Sequence, residues 1–333
     1  MMPTILYVYE ERILEALRAL VFSHFPSREF SVEQMTYAAP LSEQKEKLSR
    51  ADAVFFAPGR FLSDEAMHAA SRCRLMQLWS SGFDKFNVHG ATAAGIPVAT
   101  NGGANASSVA EHAVLLMLAV SRRLPEMDIK ARSGQWGGSS YGLEMQMLEK
   151  KRLGIVGFGN IGQKVAEKVA GFGMEICYYD TRRAALEEEK RLNVRSISFD
   201  ELLRASDIIT LHLHLNETTK RLIDARAFSL MKKGAILINA ARAELVDKDA
   251  FCKALKTGIV RGAGLDVFAE EPPRSDDALF SFPTVVATPH IAGSNRDAYE
   301  EVMKRSLQNI KRALKGEDIL WSVNGLIRRK LIV

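Results

Sequence analysis

The sequence KKRLGIVGFGNIGQKVAEKVAGFGMEICYYD, residues 150–180, decides the fold. Apolar residues 153–156 predict a short strand, which the glycine-rich run 157–162 follows at once. Ile161, Val165 and Val169 then recur at helical spacing, and residues 174–179 predict a second strand that ends at Asp180. Strand, glycine turn, helix, strand and terminal acid, in this order, are typical of a dinucleotide-binding unit in a parallel α/β sheet.

Three glycines of this run have separate roles. Gly157 permits the tight turn, Gly159 lets the backbone approach a pyrophosphate, and Gly162 allows the helix to pack closely on the strand. The helix N-terminus offers free N–H groups and the positive end of its dipole to the phosphates. We therefore predict a bound dinucleotide cofactor rather than an ordinary strand–helix turn.

The residues after the second strand bear on which cofactor is bound. A carboxylate at the position of Asp180 hydrogen-bonds the ribose 2′-OH of NAD, and it would repel the 2′-phosphate of NADP. Arg182 and Arg183 argue in the other direction, because arginine pairs with a 2′-phosphate. We predict NAD as the cofactor, with NADP as the alternative.

The composition is that of a globular protein of about two domains, with 333 residues, 47% of them hydrophobic and 26% charged. No apolar run reaches the ~18 residues of a membrane span, and the N-terminus lacks the basic region of a signal peptide. Cys73, Cys177 and Cys252 form no CxxC pair, which suits a reducing cytoplasm. The net charge of +5 is modest, and residues 328–330 are too short a basic cluster for nucleic-acid binding.

Residues 1 to about 100 predict a small α/β domain with a mostly parallel sheet and no glycine fingerprint of its own, so its loops are expected to serve a substrate. The turn that contains Ser81 and Gly82 follows a predicted strand, where it can offer backbone N–H groups to an anion or be a plain tight turn. Arg60 follows another strand, where contact with solvent is favoured over contact with a charged substrate. The predicted strands are 5–8, 30–35, 53–57, 75–79 and 97–100, and the predicted helices lie near 11–22, 42–51, 64–71 and 89–94.

The remaining segments extend the same alternation. Residues 101–130 predict one long helix with a broad apolar face, which must pack at a domain joint or a subunit interface. Residues 133–149 predict a long loop. Continuous apolar strands after the glycine unit are typical of a parallel sheet covered on both faces. The predicted strands there are 195–197, 207–213, 235–239, 262–268 and 284–287, with helices near 200–205, 225–230, 248–257 and 294–315.

Polar residues follow three of these strands, at the edge where such sheets bind ligands. Arg242 follows 235–239, Asp266 and Glu271 come with the next strand, and His290 follows 284–287. Hydride transfer to or from a 2-hydroxy acid requires a cation for the carboxylate and carbonyl, a base near neutral pH, and an anion that orients this base. Each residue alone has an ordinary structural explanation, but together they favour a catalytic site.

Seven stretches at characteristic spacing resemble the D-isomer-specific 2-hydroxyacid dehydrogenase family, and the resemblance covers nearly the whole chain. It implies an α/β fold of two Rossmann-like or flavodoxin-like parallel-sheet domains. The NAD-binding domain, 103–294, is then inserted between the two halves of a substrate domain, 1–102 and 295–333. The matching stretches are SSGFD (80–84), NASSVAEHAV (105–114), GIVGFGNIG (154–162), SDIITLHLHL (206–215), LINAARAELVD (237–247), GAGLDVFAEEP (262–272) and TPHIAG (288–293).

The resemblance also implies roles for single residues. Arg242 binds the substrate carboxylate and polarises the carbonyl, His290 is the general acid and base, and Glu271 stabilises the protonated form of His290. The backbone of Ser81 and Gly82 receives the carboxylate. The long helix after Asn105 is expected at a homodimer interface, and no metal is expected. The predicted cofactor-binding residues are Gly157, Gly159, Asn160, Ile161, Gly162, Asp180, Thr181, Arg182, His212, Ala240, Ala241, Asp266 and Ser108.

Departures from the family pattern reduce the number of expected substrates. Phosphoglycerate members carry an arginine near Ala57, and its absence disfavours phosphoglycerate unless Arg60 compensates. Formate dehydrogenases carry glutamine where Glu271 stands, so formate is disfavoured. His214 replaces a frequent proline. With His212 it suggests a metal pair on one strand face, but packing or cofactor contact is favoured because no third ligand is near.

We predict an NAD-linked oxidoreductase that interconverts a small 2-oxo acid and its D-2-hydroxy acid. Two alternatives stay open from the sequence. One is an NADP-preferring glyoxylate/hydroxypyruvate reductase. The other is a non-enzymatic NAD-sensing regulator of the same fold, as in related transcriptional corepressors.

Overall fold

Two parallel sheets organise the chain. The computed structural model describes residues 2–59 and 62–329, and its residues divide into two units. The terminal unit comprises Met1–Asn105 and Arg296–Val333, and the central unit comprises Ala106–Asn295. The interpretation of Arg60 lies outside the described residues.

The terminal unit contains a five-stranded sheet in the order β2-β1-β3-β4-β5, and every strand pair is parallel. This is the flavodoxin-like order. Tyr7 and Phe55 stack in its core, where both are fully buried. The strands are β1 Thr4–Tyr9, β2 Ser31–Thr36, β3 Ala53–Phe56, β4 Met76–Leu78 and β5 Val98–Ala99, and the helices are α1 Glu15–His24, α2 Leu41–Arg50, α3 Asp64–Ala69, α4 Val88–Ala93 and, from the C-terminal part, α12 Arg296–Leu314.

The central unit contains a seven-stranded parallel sheet in the order β12-β11-β10-β9-β6-β7-β8. Counted from the glycine-bearing strand β6, this is the dinucleotide-fold order 3-2-1-4-5-6 with one strand added at the edge. The strands are β6 Arg152–Val156, β7 Glu175–Tyr179, β8 Val194–Ser196, β9 Ile208–Leu211, β10 Ala235–Asn239, β11 Val260–Leu265 and β12 Val285–Ala287. The helices are α5 Ala106–Ser121, α6 Leu124–Arg132, α7 Asn160–Val169, α8 Leu186–Leu192, α9 Phe199–Ala205, α10 Ala225–Leu230 and α11 Lys248–Lys256.

The predicted α/β class with two parallel sheets is thus confirmed, and local sequence signals explain many of the helix starts. Ser63, Ser198, Asp224 and Asp247 each precede a helix, and each side chain accepts a hydrogen bond from the amide three residues on. These caps satisfy N–H groups that the first turn of a helix leaves without a partner.

Three details of the predicted secondary structure are wrong. The single helix expected over 101–130 is two helices, because the chain turns at Arg123, which has a φ of +51°. The loop expected over 133–149 contains a 3₁₀ helix, Gly138–Glu144. Helix α8 was not predicted, since its sequence LEEEKRL is mostly charged and buries only Glu189 and Leu192.

The order of the central sheet reverses between β6 and β9, and ligands bind at such a point. The chain continues from these strands into Gly157 and His212, whose backbones touch. A Cβ atom at Gly157 would lie 2.6 Å from the carbonyl oxygen of His212, and the φ of Gly157 is +94°. Glycine is therefore required at position 157 on both grounds.

His212 lies beyond the end of β9, so it does not share a strand face with His214 as the sequence suggested. Its Nε2 atom is 2.9 Å from Thr210 Oγ1. Its Nδ1 atom is buried and has no hydrogen-bond partner within 2–59 and 62–329. Burial lowers the pKa of His212 to about 3, because desolvation disfavours the charged imidazolium.

Two further observations concern the described residues alone. None of their helices combines the length and the apolar character that crossing a bilayer requires. Likewise, they contain no group of three or more His, Cys, Asp or Glu side chains arranged to hold a metal ion.

The buried neutral His212 predicts a pH-dependent stability. An unfolded histidine binds a proton below about pH 6.5, whereas folded His212 stays neutral down to about 3, so stability falls as pH falls through this window. Between about pH 7 and about pH 5 the wild type should lose about 1–2 kcal/mol more than His212→Asn. Denaturant unfolding at a series of pH values measures this, and parallel curves for the two proteins would contradict it.

Candidate active site

The glycine loop and the start of α7 form the first part of the candidate site. A Cβ atom at Gly162 would lie 2.2 Å from the carbonyl oxygen of Gly157, so helix and loop pack as closely as a glycine allows. A Cβ atom at Gly159 would meet no atom of the described residues within 4 Å. Gly159 is also the N-cap of α7 and supplies no side-chain cap. The loop therefore leaves open space and helix N–H groups together, as a pyrophosphate requires.

Asp180 ends β7 and is bonded to this loop. Its Oδ2 atom accepts a hydrogen bond of 2.7 Å from the amide of Phe158, and its Oδ1 atom accepts one of 3.1 Å from the amide of Arg182. The hydroxyl of Thr181 lies 3.3 Å from the same Oδ1 atom. The carboxylate thus links the glycine loop to the turn after β7. Oδ2 accepts from Phe158 alone among the described residues, so it has a second lone pair for another donor.

The turn after β10 carries Ala240, Ala241 and Arg242. Asn239, the last residue of β10, is buried and shapes this turn with both ends of its amide. Its Oδ1 atom accepts from the amide of Ala241 at 3.0 Å, and its Nδ2 atom donates to the carbonyl of Arg242 at 2.8 Å. Arg242 Nη1 donates to the carbonyl of Ala241 at 2.7 Å. Arg242 as a residue is partly buried, and it follows β10 as the sequence predicted.

Asp266 follows β11 and has no exposed surface. Its carboxylate accepts hydrogen bonds from the hydroxyl of Thr288 at 2.6 Å and from the amides of Ile291 and Ala292 at 2.9 and 2.8 Å. These donors lie on both sides of His290 in the sequence. Asp266 therefore fixes the turn that carries His290. A buried carboxylate requires such partners, because leaving it unpaired would be costly.

His290 and Glu271 form a direct pair. His290 Nδ1 is 2.8 Å from Glu271 Oε2, and Glu271 Oε1 accepts from the amide of Phe268 at 3.1 Å. The φ of His290 is +55°, an uncommon value for a residue other than glycine. The hydrogen bonds to Asp266 from residues before and after His290 hold the backbone in this conformation. With Glu271 ionised, the proton of a neutral His290 ring lies on Nδ1. Nε2 is then the nitrogen that gains and loses a proton.

Sequence reasoning missed the residue that joins this network from α5. His112 Nε2 lies 2.9 Å from Thr288 Oγ1 and 3.5 Å from Asp266 Oδ1. Thr288 was quoted only as part of a motif. Nothing in their spacing relates residues 112 and 288, since α5 brings His112 to the strand ends only in the folded chain. The AEH sequence at 110–112 was within the resemblance and is the one available signal.

Ser108, also on α5, was predicted to contact the cofactor. In the structure its hydroxyl donates to the carbonyl of Ala292 at 2.6 Å and accepts from Asn295 Nδ2 at 2.6 Å. Its bonds are therefore to the segment that follows His290.

Ser81 and Gly82 belong to the terminal unit, where they follow β4. The Ser81 hydroxyl lies 2.6 Å from Asn101 Oδ1 and 2.8 Å from Asn105 Oδ1. The Ser80 hydroxyl donates to the carbonyl of Gly82 at 2.6 Å. These bonds fix the turn by its side chains. No backbone hydrogen bond of the described residues uses the amides of Ser81 and Gly82.

Comparison with known proteins is consistent with this geometry. Residues 114–292 match the family model described as "D-isomer specific 2-hydroxyacid dehydrogenase, NAD binding domain". A glyoxylate reductase of Thermococcus litoralis is 38% identical over 286 residues, which cover 84% of this chain and 86% of that protein. A chloroplastic D-3-phosphoglycerate dehydrogenase of Arabidopsis thaliana is 34% identical over 89% of this chain, but the match spans only 47% of its own length.

Among solved structures, the holo form of D-mandelate dehydrogenase from Rhodotorula graminis resembles this chain with a TM-score of 0.86 and 26% identity. The match covers 99% of this chain and 100% of that one. These comparisons confirm the predicted family, reaction class and nicotinamide cofactor: the chain belongs to the D-isomer-specific 2-hydroxyacid dehydrogenases, NAD(P)-dependent oxidoreductases that act on hydroxyl donors.

Proposed function

We propose that this protein reduces a small 2-oxo acid to the D-2-hydroxy acid with NADH, or catalyses the reverse reaction. The observation that carries the proposal is the 2.8 Å pair of His290 and Glu271, in a turn held by the buried Asp266. The pair consists of a titratable imidazole and an anion that fixes its orientation. It lies at the same edge of the sheet as the glycine loop. These are the components that hydroxyl-to-carbonyl chemistry requires.

His290 is proposed as the general acid and base. In the reductive direction, Nε2 of the protonated ring donates its proton to the carbonyl oxygen as the hydroxyl forms. In the oxidative direction the same nitrogen accepts the hydroxyl proton. Glu271 stabilises the imidazolium and keeps Nδ1 protonated throughout.

Arg242 is proposed as the cation that binds the substrate carboxylate and polarises the carbonyl. A planar guanidinium can hold both oxygens with defined geometry. In the observed state it donates to the carbonyl of Ala241, and its turn is fixed by Asn239. The amides of Ser81 and Gly82 are proposed as further donors to the substrate carboxylate. The gain for catalysis is positioning and stabilisation of charge that develops on the carbonyl oxygen.

The cofactor, when bound, supplies or accepts the hydride. Gly157, Gly159 and Gly162 fit its pyrophosphate by the close packing and open space described above, and Asp180 fits its ribose. His212, whose backbone carbonyl touches Gly157 and whose buried Nδ1 has no hydrogen-bond partner in the described part of the chain, is a further proposed contact of the dinucleotide. The further residues proposed to contact the cofactor are Asn160, Ile161, Thr181, Arg182, Ala240, Ala241, Asp266 and Ser108.

The similarity to a glyoxylate reductase favours a small substrate such as glyoxylate or hydroxypyruvate. We propose NADH over NADPH because Asp180 carries a negative charge at the ribose end. An NADP-preferring glyoxylate/hydroxypyruvate reductase is the second candidate, since the exposed Arg182 lies in the same turn.

The unpaired cysteines Cys73, Cys177 and Cys252 fit the reducing environment of a cytoplasm, which we propose as the location.

We further propose that the protein is a homodimer. Segment 124–147 carries five exposed large apolar side chains: Trp136 at 87% and Leu143 at 90% exposure, together with Leu124, Ile129 and Met147. Exposed apolar surface of this extent is typical of a protein–protein contact. A second copy of the same segment is the proposed occupant, because a two-fold interface pairs one patch with itself.

The reaction class is tested by following loss of NADH or NADPH absorbance with glyoxylate, hydroxypyruvate, pyruvate, phosphohydroxypyruvate and a phenyl-substituted 2-oxo acid. We expect turnover with NADH and the highest kcat/KM for a small, uncharged tail. Tight NADH binding without turnover of any of these acids would contradict the proposal and favour an NAD-sensing regulator.

The role of His290 is tested by His290→Asn, since asparagine tolerates the positive φ of this position. We expect kcat to fall roughly 10²–10⁴-fold with little change in the Kd of NADH. Glu271→Gln should lower kcat by a smaller factor, because the ring keeps a partner but loses the anion. Glu270→Gln, at the exposed neighbouring position, is the matched control and should leave kcat unchanged. Full activity of His290→Asn would exclude the role.

The homodimer is tested by light scattering coupled to size-exclusion chromatography. The wild type should have the mass of two chains, and Trp136→Asp combined with Leu143→Asp should shift it towards one chain, because charges would be buried in the contact. Leu14→Asp, a change at an exposed residue of the terminal unit, is the control. A monomeric wild type at micromolar concentration would refute the proposal.

A further inference from the structure

A buried carboxylate holds one of the two arginines of the turn after β7. Glu189, on α8, is only 8% exposed. Arg183 Nε donates to its Oε1 atom at 2.9 Å, and Arg183 Nη2 donates to its Oε2 atom at 2.8 Å. Both oxygens are therefore used by one guanidinium, in the bidentate arrangement that makes arginine–carboxylate pairs strong and directional.

Tyr178 fixes Glu189 from the sheet side. The Tyr178 hydroxyl donates to Glu189 Oε1 at 2.6 Å and accepts from the amide of Ala184 at 2.9 Å. The ring of Tyr178 stacks on Phe158 of the glycine loop, with centroids 4.0 Å apart. Glu189 is thus bonded both to the strand and to the turn, and the position of Arg183 follows from a rigid arrangement rather than from a surface ion pair.

This arrangement lies where the two nicotinamide cofactors differ. In dinucleotide folds the acid that ends the second strand meets the ribose 2′-OH, and an arginine nearby accommodates the 2′-phosphate of NADP. Asp180 is that acid by position, and Arg183 is three residues further on. The Arg183 side chain is 62% exposed, so a ligand can reach it, but its charge is compensated by Glu189.

We propose that Glu189 is a positioning residue for cofactor preference: by holding Arg183 in a bidentate pair, it withholds this cation from a 2′-phosphate and favours NADH over NADPH. The inference rests on the proposed NAD site at the glycine loop. It assigns the preference to a residue that touches neither cofactor, in addition to the repulsion from Asp180. It also explains how Arg183, one of the two consecutive arginines of this turn, is compatible with an NAD site.

The test compares four variants by the Kd of NADH and of NADPH, measured from nucleotide fluorescence, and by kcat/KM with each cofactor. Glu189→Gln keeps the shape and the Tyr178 hydrogen bond but removes the charge that holds Arg183. It is expected to tighten NADPH binding roughly ten-fold, with NADH nearly unchanged. In Glu189→Gln combined with Arg183→Ala the gain should disappear, because the released cation is absent.

Two single changes are the controls. Glu188→Gln removes the charge of the neighbouring pair of Glu188 with Arg191 on the same helix and should not alter the preference. Arg183→Ala alone should leave NADPH binding as in the wild type, since Arg183 is already withheld. This variant tests the proposal even if Glu189→Gln fails to fold.

The outcomes are distinguishable. A roughly ten-fold weaker binding of NADPH by Arg183→Ala than by the wild type would overturn the inference. Arg183 would then already contact the 2′-phosphate in the wild type. A gain in Glu189→Gln that persists without Arg183, or a folded Glu189→Gln with unchanged preference, would also overturn it. Failure of the wild type to bind either nucleotide would instead refute the proposed function.

Discussion

The carboxylate of Asp266 is the constraint on which the candidate catalytic site depends. It is fully buried, and it receives one hydroxyl and two amide hydrogen bonds from the segment around His290. A carboxylate in that position would be strongly unfavourable without these donors, so the chain must turn around it. The uncommon backbone conformation of His290 is the result, and it directs the imidazole to Glu271. The hydrogen bonds that stabilise this edge of the sheet therefore also set the geometry of the His290–Glu271 pair.

The same edge shows how a sheet organises chemistry that no single segment contains. The side chain of Asn239 shapes the turn of Arg242, and its backbone carbonyl accepts a hydrogen bond from the amide of Asp266. The ends of β10 and β11 are therefore bonded to each other. Thr288 and His112 extend the bonding to β12 and α5. The parallel strands bring these ends together because all of them run in one direction.

Much of this architecture could be predicted from the sequence because its signals are local. The glycine run, the apolar strands and the polar residues after them each lie within a few neighbouring positions. The break between α5 and α6 has a local signal, Pro125 in the first turn of α6, which the prediction of one helix over 101–130 overlooked. The positive φ of Arg123 itself has no such signature. Helix α8 was missed because it is stabilised through Glu189 rather than an apolar face. The contacts of His112 and Glu189 depend on which helices and strands become neighbours in the fold. Local sequence patterns do not predict that.

The strand order has a consequence for how such a protein can change over generations. Asp180 follows β7 and Glu189 lies on α8, the next helix, whereas Glu271 and His290 follow β11 and β12. Strands β6, β9 and β10 lie between β7 and β11. At 4.7–4.9 Å per strand step, β7 and β11 are about 19 Å apart. Substitutions at such separations generally act additively. On the roles proposed for these residues, substitutions that change the cofactor preference can therefore accumulate without loss of the proposed acid–base pair.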